Sequence, residues 1–473
     1  MRSFLQVLFL ILIDIGAYYC SLFLGWATRE FLFPAMFNEL RDNYSFYYYV
    51  CLWWIPVIYI FFFSYVQIYT SRYPFWDETK RLINALTLSM LVLMTVVTLG
   101  HFPDKVSRPV LILLWVNSLF IFPILRLFGK ELLFKSGIFR ERVLILGAGK
   151  AGRLILSWLT REKHLGYDVL GFLDDDPDKI GNTIDGKKIF GKIKHYTKFI
   201  REFQVNTIIL AMPSLGPEKL STMSFEIQQH VKNTMIVPDL YGVALLNTDL
   251  LHLFYEEIFL LKVRNNLKSL SNRIVKRIFD LAVSIALLPF LLFLIVIIGI
   301  IIKLESSAPV FYAHERIGRG MKVFRCYKFR TMVKDAEDKL VELLKSDANI
   351  KDEWEKYWKL KNDPRVTRIG MFLRKTSLDE LPQIFNVLKG QMSFIGPRPY
   401  LLRELDEIKD GIEAITKVSP GITGLWQVSG RNSTTYKYRL RLDLWYIINW
   451  SLWLDLVILI RTITVVISMK GVK

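Results

Sequence analysis

Ile278-Phe279-Asp280-Leu281-Ala282-Val283-Ser284-Ile285-Ala286-Leu287-Leu288-Pro289-Phe290, continuing apolar to Ile302 before Lys303 and Leu304, decides how the chain is read. The run 278–304 is long enough to cross a bilayer as a helix. Its flanks argue against a crossing. Lys262, Arg264, Lys268, Arg273, Lys276 and Arg277 precede it, Lys303 stands at its end, and Arg316, Arg319, Lys322, Arg325, Lys328 and Arg330 follow. Positive flanks belong on the cytoplasmic side, so both ends want the same side. Pro289 supplies a break at which a helix can enter and turn back. The run is therefore expected to be a re-entrant helix. Everything after it then stays with cytosolic nucleotides, whereas a span would carry it outside.

Upstream, composition points the same way. The 473 residues are 52% hydrophobic and 14% aromatic, with positive mean hydropathy and a net charge of +18. That is too apolar for an ordinary soluble enzyme. The charge excess fits cytoplasmic flanks, anionic lipid or an anionic substrate. No nucleic-acid fold signature is present, so nucleic acid is not expected as a partner. Cys20, Cys51 and Cys326 have neither disulfide-framework nor zinc spacing. The apolar run from Phe4 to Trp26 is too long for a cleavable signal and lacks a small-residue cleavage site. Stretches at about 4–26, 46–69, 82–100 and 109–128 each have the length of a membrane helix. Trp26, Trp53, Trp54, Tyr65 and Tyr69 suit an interfacial belt. Arg72, Lys80 and Arg81 in the middle loop, with Arg126, Lys130, Lys135, Arg140 and Arg142 after the fourth stretch, place both ends of a four-helix bundle inside. Asp14, an acid within a span, is expected to face the bundle interior.

The bundle is assigned to 1–135, a Rossmann-like α/β domain to 136–270 and a catalytic domain to 271–473. In the middle domain Arg142–Leu146 reads as a buried strand. Gly147-Ala148-Gly149-Lys150-Ala151-Gly152 then matches G-x-G-x-x-G and opens a helical pattern. A strand at Val169–Leu173 ends in Asp174, placed as a ribose acid would be, and further strands fit Thr207–Leu210 and Thr234–Val237. Alternating strands and helices imply a doubly wound parallel sheet. Gly147, Gly149, Gly152 and Asp174 are its candidate nucleotide contacts, although a scaffold or regulatory unit would carry the same pattern.

The last domain is basic. Pro309–Tyr312 and Met321–Phe324 read as short strands, and Lys334–Lys345 and Lys351–Lys361 as helices. Then comes Arg374-Lys375-Thr376-Ser377-Leu378-Asp379-Glu380-Leu381-Pro382-Gln383. A helix starting near Asp379 tolerates Pro382 in its first turn, and Ser377 with Glu380 has capping-box spacing. Lys328, Arg330, Arg365, Arg374, Arg398 and Arg431 lie in or beside turns marked by glycine or proline. Arginine suits bidentate phosphate contacts. An acid pair among arginines suits a reaction on a diphosphate: one carboxylate can attack phosphorus, and the other can hold Mg²⁺. The tail from Tyr438, with Trp445, Trp450 and Trp453, and with Asp455 and Arg461 interrupting 451–469, reads as interfacial amphipathic helices.

The C-terminal part, about 273–473, resembles the bacterial sugar transferases, the large monotopic phosphoglycosyl transferases. The resemblance rests on Cys326-Tyr327-Lys328-Phe329-Arg330-Thr331-Met332, Lys361-Asn362-Asp363-Pro364-Arg365-Val366-Thr367, Asp379-Glu380, Gly396-Pro397-Arg398-Pro399 and the run Pro420–Asn432. The bundle and the Rossmann-like unit extend it over essentially the whole chain. Tyr73-Pro74-Phe75-Trp76 and Leu246-Asn247-Thr248-Asp249 resemble the branch that loads galactose phosphate onto undecaprenyl phosphate. The family implies Asp379 as nucleophile on the β-phosphate of a UDP-sugar, UMP as leaving group and a sugar-phosphoryl-aspartate intermediate. It implies Glu380 as the Mg²⁺ ligand, and Arg398, with Arg374 nearby, as a phosphate contact. Undecaprenyl phosphate accepts the sugar phosphate in the first membrane step of a surface polysaccharide such as O-antigen or exopolysaccharide. The family places this chemistry at the cytoplasmic face of the bacterial inner membrane and allows a homodimer that no residue here specifies. One departure is Leu288 before Pro289, where the family often carries serine. Two other readings compete. A nucleotide-sugar dehydratase or epimerase built on the G-x-G-x-x-G unit needs a Tyr-xxx-Lys pair, and Tyr357 with Lys361, the pair singled out for that spacing, lies beyond the membrane run. A non-catalytic nucleotide sensor leaves the acids and arginines without a task.

Overall fold

A computed structural model describes residues 2–36, 44–99, 106–239, 248–252, 259–263, 266–306, 308–346, 350–352, 354, 360, 363–407, 411–429 and 436–468. The chain divides into two compact units, Met1–Leu240 and Tyr241–Lys473.

The first unit opens with a helical bundle. Phe4–Leu32, Phe75–Leu99 and Arg108–Lys135 are long and apolar enough to cross a membrane. The stretch 46–69 is not one helix. A short helix Phe46–Val50 precedes a second, Trp54–Tyr65, which alone rises only about 18 Å. Pro56 explains the break. A helix continuing through it would need the missing N–H to bond the Leu52 carbonyl, whereas Pro56 is harmless in the first turn of a new helix. The bundle core is aromatic: Tyr18, Tyr59, Phe63 and Phe122 are fully buried, and the Tyr59 and Phe122 rings stack 6.1 Å apart. Asp14 faces the interior as expected, and Arg126 donates to it at 2.6 Å. Arg126 also donates to Glu78 at 2.9 Å, and Lys130 binds the other Glu78 oxygen at 2.7 Å. Arg126 and Lys130 are therefore not flanking surface charges. Tyr69, expected in the interfacial belt, is buried with its hydroxyl on Asp14.

Six strands follow: β1 (Glu141–Leu146), β2 (Tyr167–Leu173), β3 (Thr183–Ile184), β4 (Lys187–Gly191), β5 (Thr207–Leu210) and β6 (Asn233–Ile236). Their order is β3-β4-β2-β1-β5-β6, parallel except for the β3–β4 pair. Val143 and Ile145 pack with Leu156 and Leu159 on one face, and Leu144 and Leu146 with Ile200 and Ile227 on the other. A strand covered on both faces has to be apolar at every position, which is why Val143–Leu146 carries no alternation. The doubly wound parallel sheet is present, with the strand order reversing at β1.

The second unit begins with an antiparallel pair, β7 (Thr248–His252) and β8 (Phe259–Val263). The decisive apolar run lies within one helix, Leu270–Glu305. Pro289 is inside it and does not terminate it, contrary to the expected break. The ring removes one backbone bond, to the carbonyl of Ile285, and the apolar turns on either side hold the helix together without it. Both ends engage the rest of this unit. Lys276 reaches Asp455 at 2.7 Å and the Ile395 carbonyl at 3.0 Å. Asp280 accepts from Ser393 Oγ and the Phe394 N–H. At the far end Glu305 accepts from the N–H groups of Arg368 and Ile369. Between them Ile285, Phe290 and Phe293 are all more than 60% exposed, an apolar middle that water does not suit.

Two longer strands than expected, β9 (Phe311–Ile317) and β10 (Val323–Phe329), form a hairpin. A helix at Ala336–Ser346 matches the first of the two expected beyond them. Most of 351–361 lies outside the described residues. β11 (Ser393–Ile395) and β12 (Gly421–Thr423) pair in parallel, and helices Tyr436–Ile448 and Leu452–Ser468 close the unit. Asp455 does not mark a water-facing side of the last helix: it is fully buried, on Lys276, Tyr446 and the Trp450 indole.

Candidate active site

The site is built on the free edge of β10. Asn386, fully buried, accepts from the Tyr327 N–H at 3.0 Å and donates to the Arg325 carbonyl at 2.8 Å. This clamp fixes β10 against the segment 378–388. Lys328, the next residue on β10, then meets both acids. Its Nζ lies 2.6 Å from Glu380 Oε1 and 3.7 Å from Asp379 Oδ2. Lys328 is thus a strand residue, not part of a turn, because the β9–β10 hairpin is longer than its glycine-flanked core.

The acids are not presented as a helix cap. The helix Arg368–Thr376 ends at Ser377, which adopts φ 59° and ψ 17°. A non-glycine residue in this left-handed conformation costs about 1–2 kcal/mol. A 3₁₀ segment, Leu378–Gln383, then carries Asp379 and Glu380 in its first turn. The Ser377 side chain caps nothing, so the capping box does not form. Spacing allowed it, but the left-handed turn re-aims the chain.

Burial pushes the Asp379 carboxyl above the usual range. Lys328 opposes this, the Glu380 charge adds to it, and Arg374 pulls it back. Burial works against the Lys328 ammonium too, yet Glu380 and Asp379 hold it above the ordinary lysine value. Arg374 donates through Nε to Thr331 Oγ1 at 2.9 Å. Glu380 is the more open acid at 30% side-chain exposure, against 14% for Asp379. No group of three metal-ligating side chains occurs among the described residues. Mg²⁺ commonly uses one or two carboxylates and completes its shell with water and substrate phosphate, and the adjacent pair fits that pattern.

The arginines divide. Arg365 is committed to Asp363 by a bidentate pair at 2.8 and 2.6 Å and is 4% exposed, so it braces a turn and is not available to substrate. Arg330 donates to the Pro309 carbonyl and lies by the Tyr312 ring. Arg398 is 3.5 Å from Glu404, 5.9 Å from the Trp426 ring, and anchored by its N–H on Asp443. Arg431, Tyr357 and Lys361 lie outside the described residues. In the sequence Arg316 stands out only as one of the positive flanks of the apolar run. It donates to the Pro399 carbonyl at 3.1 Å, and burial together with the nearby Arg398 charge lowers its pKa, while Glu380 is among the acids that sustain it. Position 316 in an alternating strand offered no signal for this, and neither did Asn386 within Ile384–Leu388.

In the glycine loop, Gly147 needs φ +103°, and a Cβ on Gly152 would sit 2.1 Å from the Gly147 carbonyl oxygen. Gly149 has open space beside it. Asp174 is occupied: one oxygen accepts from the Ala148 N–H at 2.7 Å and the other from the Asp176 N–H at 2.9 Å. The fold itself accounts for Gly147, Gly152 and Asp174.

An apolar bundle, an anchored membrane helix and an acid pair beside basic side chains define a membrane-bound phosphoglycosyl transferase. The chain belongs to the bacterial sugar transferases: the family model described as Bacterial sugar transferase matches 271–469. A model described as CoA-binding domain matches 65–238. Among its relatives, the undecaprenyl-phosphate galactose phosphotransferase of Salmonella typhimurium is 38% identical, covering 89% of this chain and 86% of that protein. The UDP-galactose-lipid carrier transferase of Erwinia amylovora is 36% identical, over 85% and 84%. The UDP-glucose:undecaprenyl-phosphate glucose-1-phosphate transferase of Klebsiella pneumoniae is 31% identical, over 70% and 68%.

Proposed function

We propose that the chain transfers a hexose 1-phosphate, galactose 1-phosphate before glucose 1-phosphate, from a UDP-sugar to undecaprenyl phosphate, releasing UMP. The observation that carries this reading is the Asp379–Glu380 pair sharing Lys328 at 3.7 and 2.6 Å, on a strained turn beside Arg374. An Asp379 oxygen forms a bond to the β-phosphorus. The bond from that phosphorus to the bridging oxygen breaks, and UMP leaves with the electron pair. An oxygen of undecaprenyl phosphate then attacks the same phosphorus, and the bond to Asp379 breaks. Burial of Asp379 favours this chemistry, because a poorly solvated carboxylate is a stronger nucleophile. Glu380 would hold Mg²⁺, which supplies charge neutralisation on the phosphates when bound. Lys328 keeps the two like charges together, and Arg374 and Arg398 are the phosphate contacts. Both ends of the Leu270–Glu305 helix bear on this same unit, which supports a re-entrant topology with the site at the cytoplasmic face. UDP-galactose and UDP-glucose are tested in membranes with undecaprenyl phosphate and Mg²⁺, with UMP release as readout. Labelled UDP-sugar should leave label on the protein when acceptor lipid is withheld. Full turnover by Asp379→Asn, or no retained label on the wild type, overturns the covalent mechanism.

A further inference from the structure

An open cavity of about 220 Å³ lies at the start of the Leu270–Glu305 helix, lined by Leu270, Arg273, Ile274, Arg277, Ile278 and Arg319. Leu270, Ile274 and Ile278 repeat every fourth residue and so form one stripe. They are 65%, 50% and 60% exposed. Arg273 and Arg277 share the same spacing beside the stripe, and Arg319 joins them from the turn after β9. None of the three arginines makes an ion pair with a carboxylate among the described residues. Arg277 spends its guanidinium on the carbonyls of Val387 and Leu388, at 2.6 and 2.9 Å, which leaves its charge uncompensated. The Arg273 Nε is buried and has no hydrogen bond among the described residues. Three cations converging on one cavity repel one another unless an anion enters.

We propose that this cavity is a binding site for an anionic phospholipid of the bilayer, its phosphodiester held by Arg273, Arg277 and Arg319 and its acyl chain lying along Leu270, Ile274 and Ile278. The apolar stripe selects a ligand with a hydrocarbon tail over free phosphate. Net positive charge selects an anionic headgroup over one that carries its own ammonium. The polyprenyl phosphate acceptor is a poorer occupant, because its phosphate has to reach Asp379, and none of these arginines bonds to Lys328, Asp379, Glu380 or Arg374. The site goes beyond the transfer reaction. It holds the membrane helix at headgroup depth through a lipid that is not a substrate.

The test uses the full chain in detergent, exposed in turn to phosphatidylglycerol, phosphatidylcholine and undecaprenyl phosphate, with bound lipid counted by native mass spectrometry. Phosphatidylglycerol should be retained at least tenfold better than phosphatidylcholine. Arg273→Gln with Arg319→Gln should remove that preference, and Arg273→Lys with Arg319→Lys should largely keep it. Arg277 is left in place because it also braces two carbonyls. UMP release should survive in the glutamine variant, so a failure of the transfer reading, which would silence UMP release in all proteins, is separable from a failure here. Equal retention of the two phospholipids sinks the proposal. So does a preference unchanged by the glutamine pair, or a glutamine variant that loses undecaprenyl phosphate while keeping phosphatidylglycerol.

Discussion

Two acid–base clusters in this chain are made of nearly the same parts and do opposite things. In the bundle, Asp14 and Glu78 meet Arg126 and Lys130, with every side chain at 6% exposure or less. Arg126 bridges both acids, Lys130 takes the remaining Glu78 oxygen and Tyr69 adds its hydroxyl to Asp14. Two negative charges balance two positive ones, and bonding capacity is nearly used up. In the second unit, Asp379 and Glu380 are adjacent in sequence and share one lysine, unequally. The nearby Arg374 is tied to a threonine hydroxyl. A closed cluster of this kind specifies packing. An open one keeps capacity for a ligand, and its strained turn and displaced carboxyl pKa are the signs of it.

The largest expected effect of that difference is catalytic. Asp379→Asn should reduce UMP release by at least about 10³-fold and leave thermal stability equal or higher, since burial disfavours the carboxylate it removes. A large loss of both would mean that Asp379 is a structural acid like Glu78. Arg126→Ala should behave the other way. Leaving two buried carboxylates short of a cation costs about 3–5 kcal/mol, read as a lowered unfolding midpoint and poor yield, with normal turnover per folded molecule. An Arg126→Ala protein of unchanged stability but no activity would reverse the comparison. Lys328→Met falls between. Lys328 lowers the Asp379 pKa, so its loss should move the acid limb of the rate profile to higher pH, and Lys328→Arg should move it most of the way back. A profile shape that does not respond to either change separates Lys328 from the acid pair.

Local pattern carried much of this molecule. The apolar runs and the strands β1, β2 and β5 were legible because burial on one or both faces dictates residue type along the chain, whereas the Asp379-Glu380 pair stood out through the motif strings around it. What was not legible is set by partners far away in sequence. Asp14 and Arg126 meet across 112 positions, and Lys276 and Asp455 across 179. Nothing near Arg365 distinguishes an arginine locked to Asp363 from one open to a phosphate; only the bidentate pairing does. The β3–β4 hairpin is a different case. Asp185-Gly186 has positive φ at both residues, 46° and 78°, the two-residue turn that Asp-Gly favours, so its signal was present and the flanking strands were simply too short and charged to stand out.

The smallest expected effect concerns an acid outside both clusters. Among the described residues no cation is bonded to the Asp443 carboxylate; Oδ2 accepts from the Tyr400 hydroxyl at 2.8 Å and the Arg398 N–H at 3.2 Å, while Oδ1 is buried with no partner among those residues. Burial pushes its carboxyl up to about 7, against the opposing pull of those two bonds and the Arg398 charge. The unfolded chain releases that proton near pH 4, and the folded chain keeps it to about pH 7, so in between the native state binds more protons. Stability from this group is therefore full below about pH 4 and declines as pH rises to 7, by at most about 1.4 kcal/mol per pH unit. Asp443→Asn keeps an acceptor for Tyr400 and Arg398 but cannot ionise. Its unfolding midpoint relative to wild type should rise between pH 5 and pH 8, with UMP release within a few-fold of normal. A midpoint difference flat across that range would place Asp443 among the ionised acids. The boundary between the closed and open clusters would then lie in the supply of hydrogen-bond donors, with burial playing the lesser part.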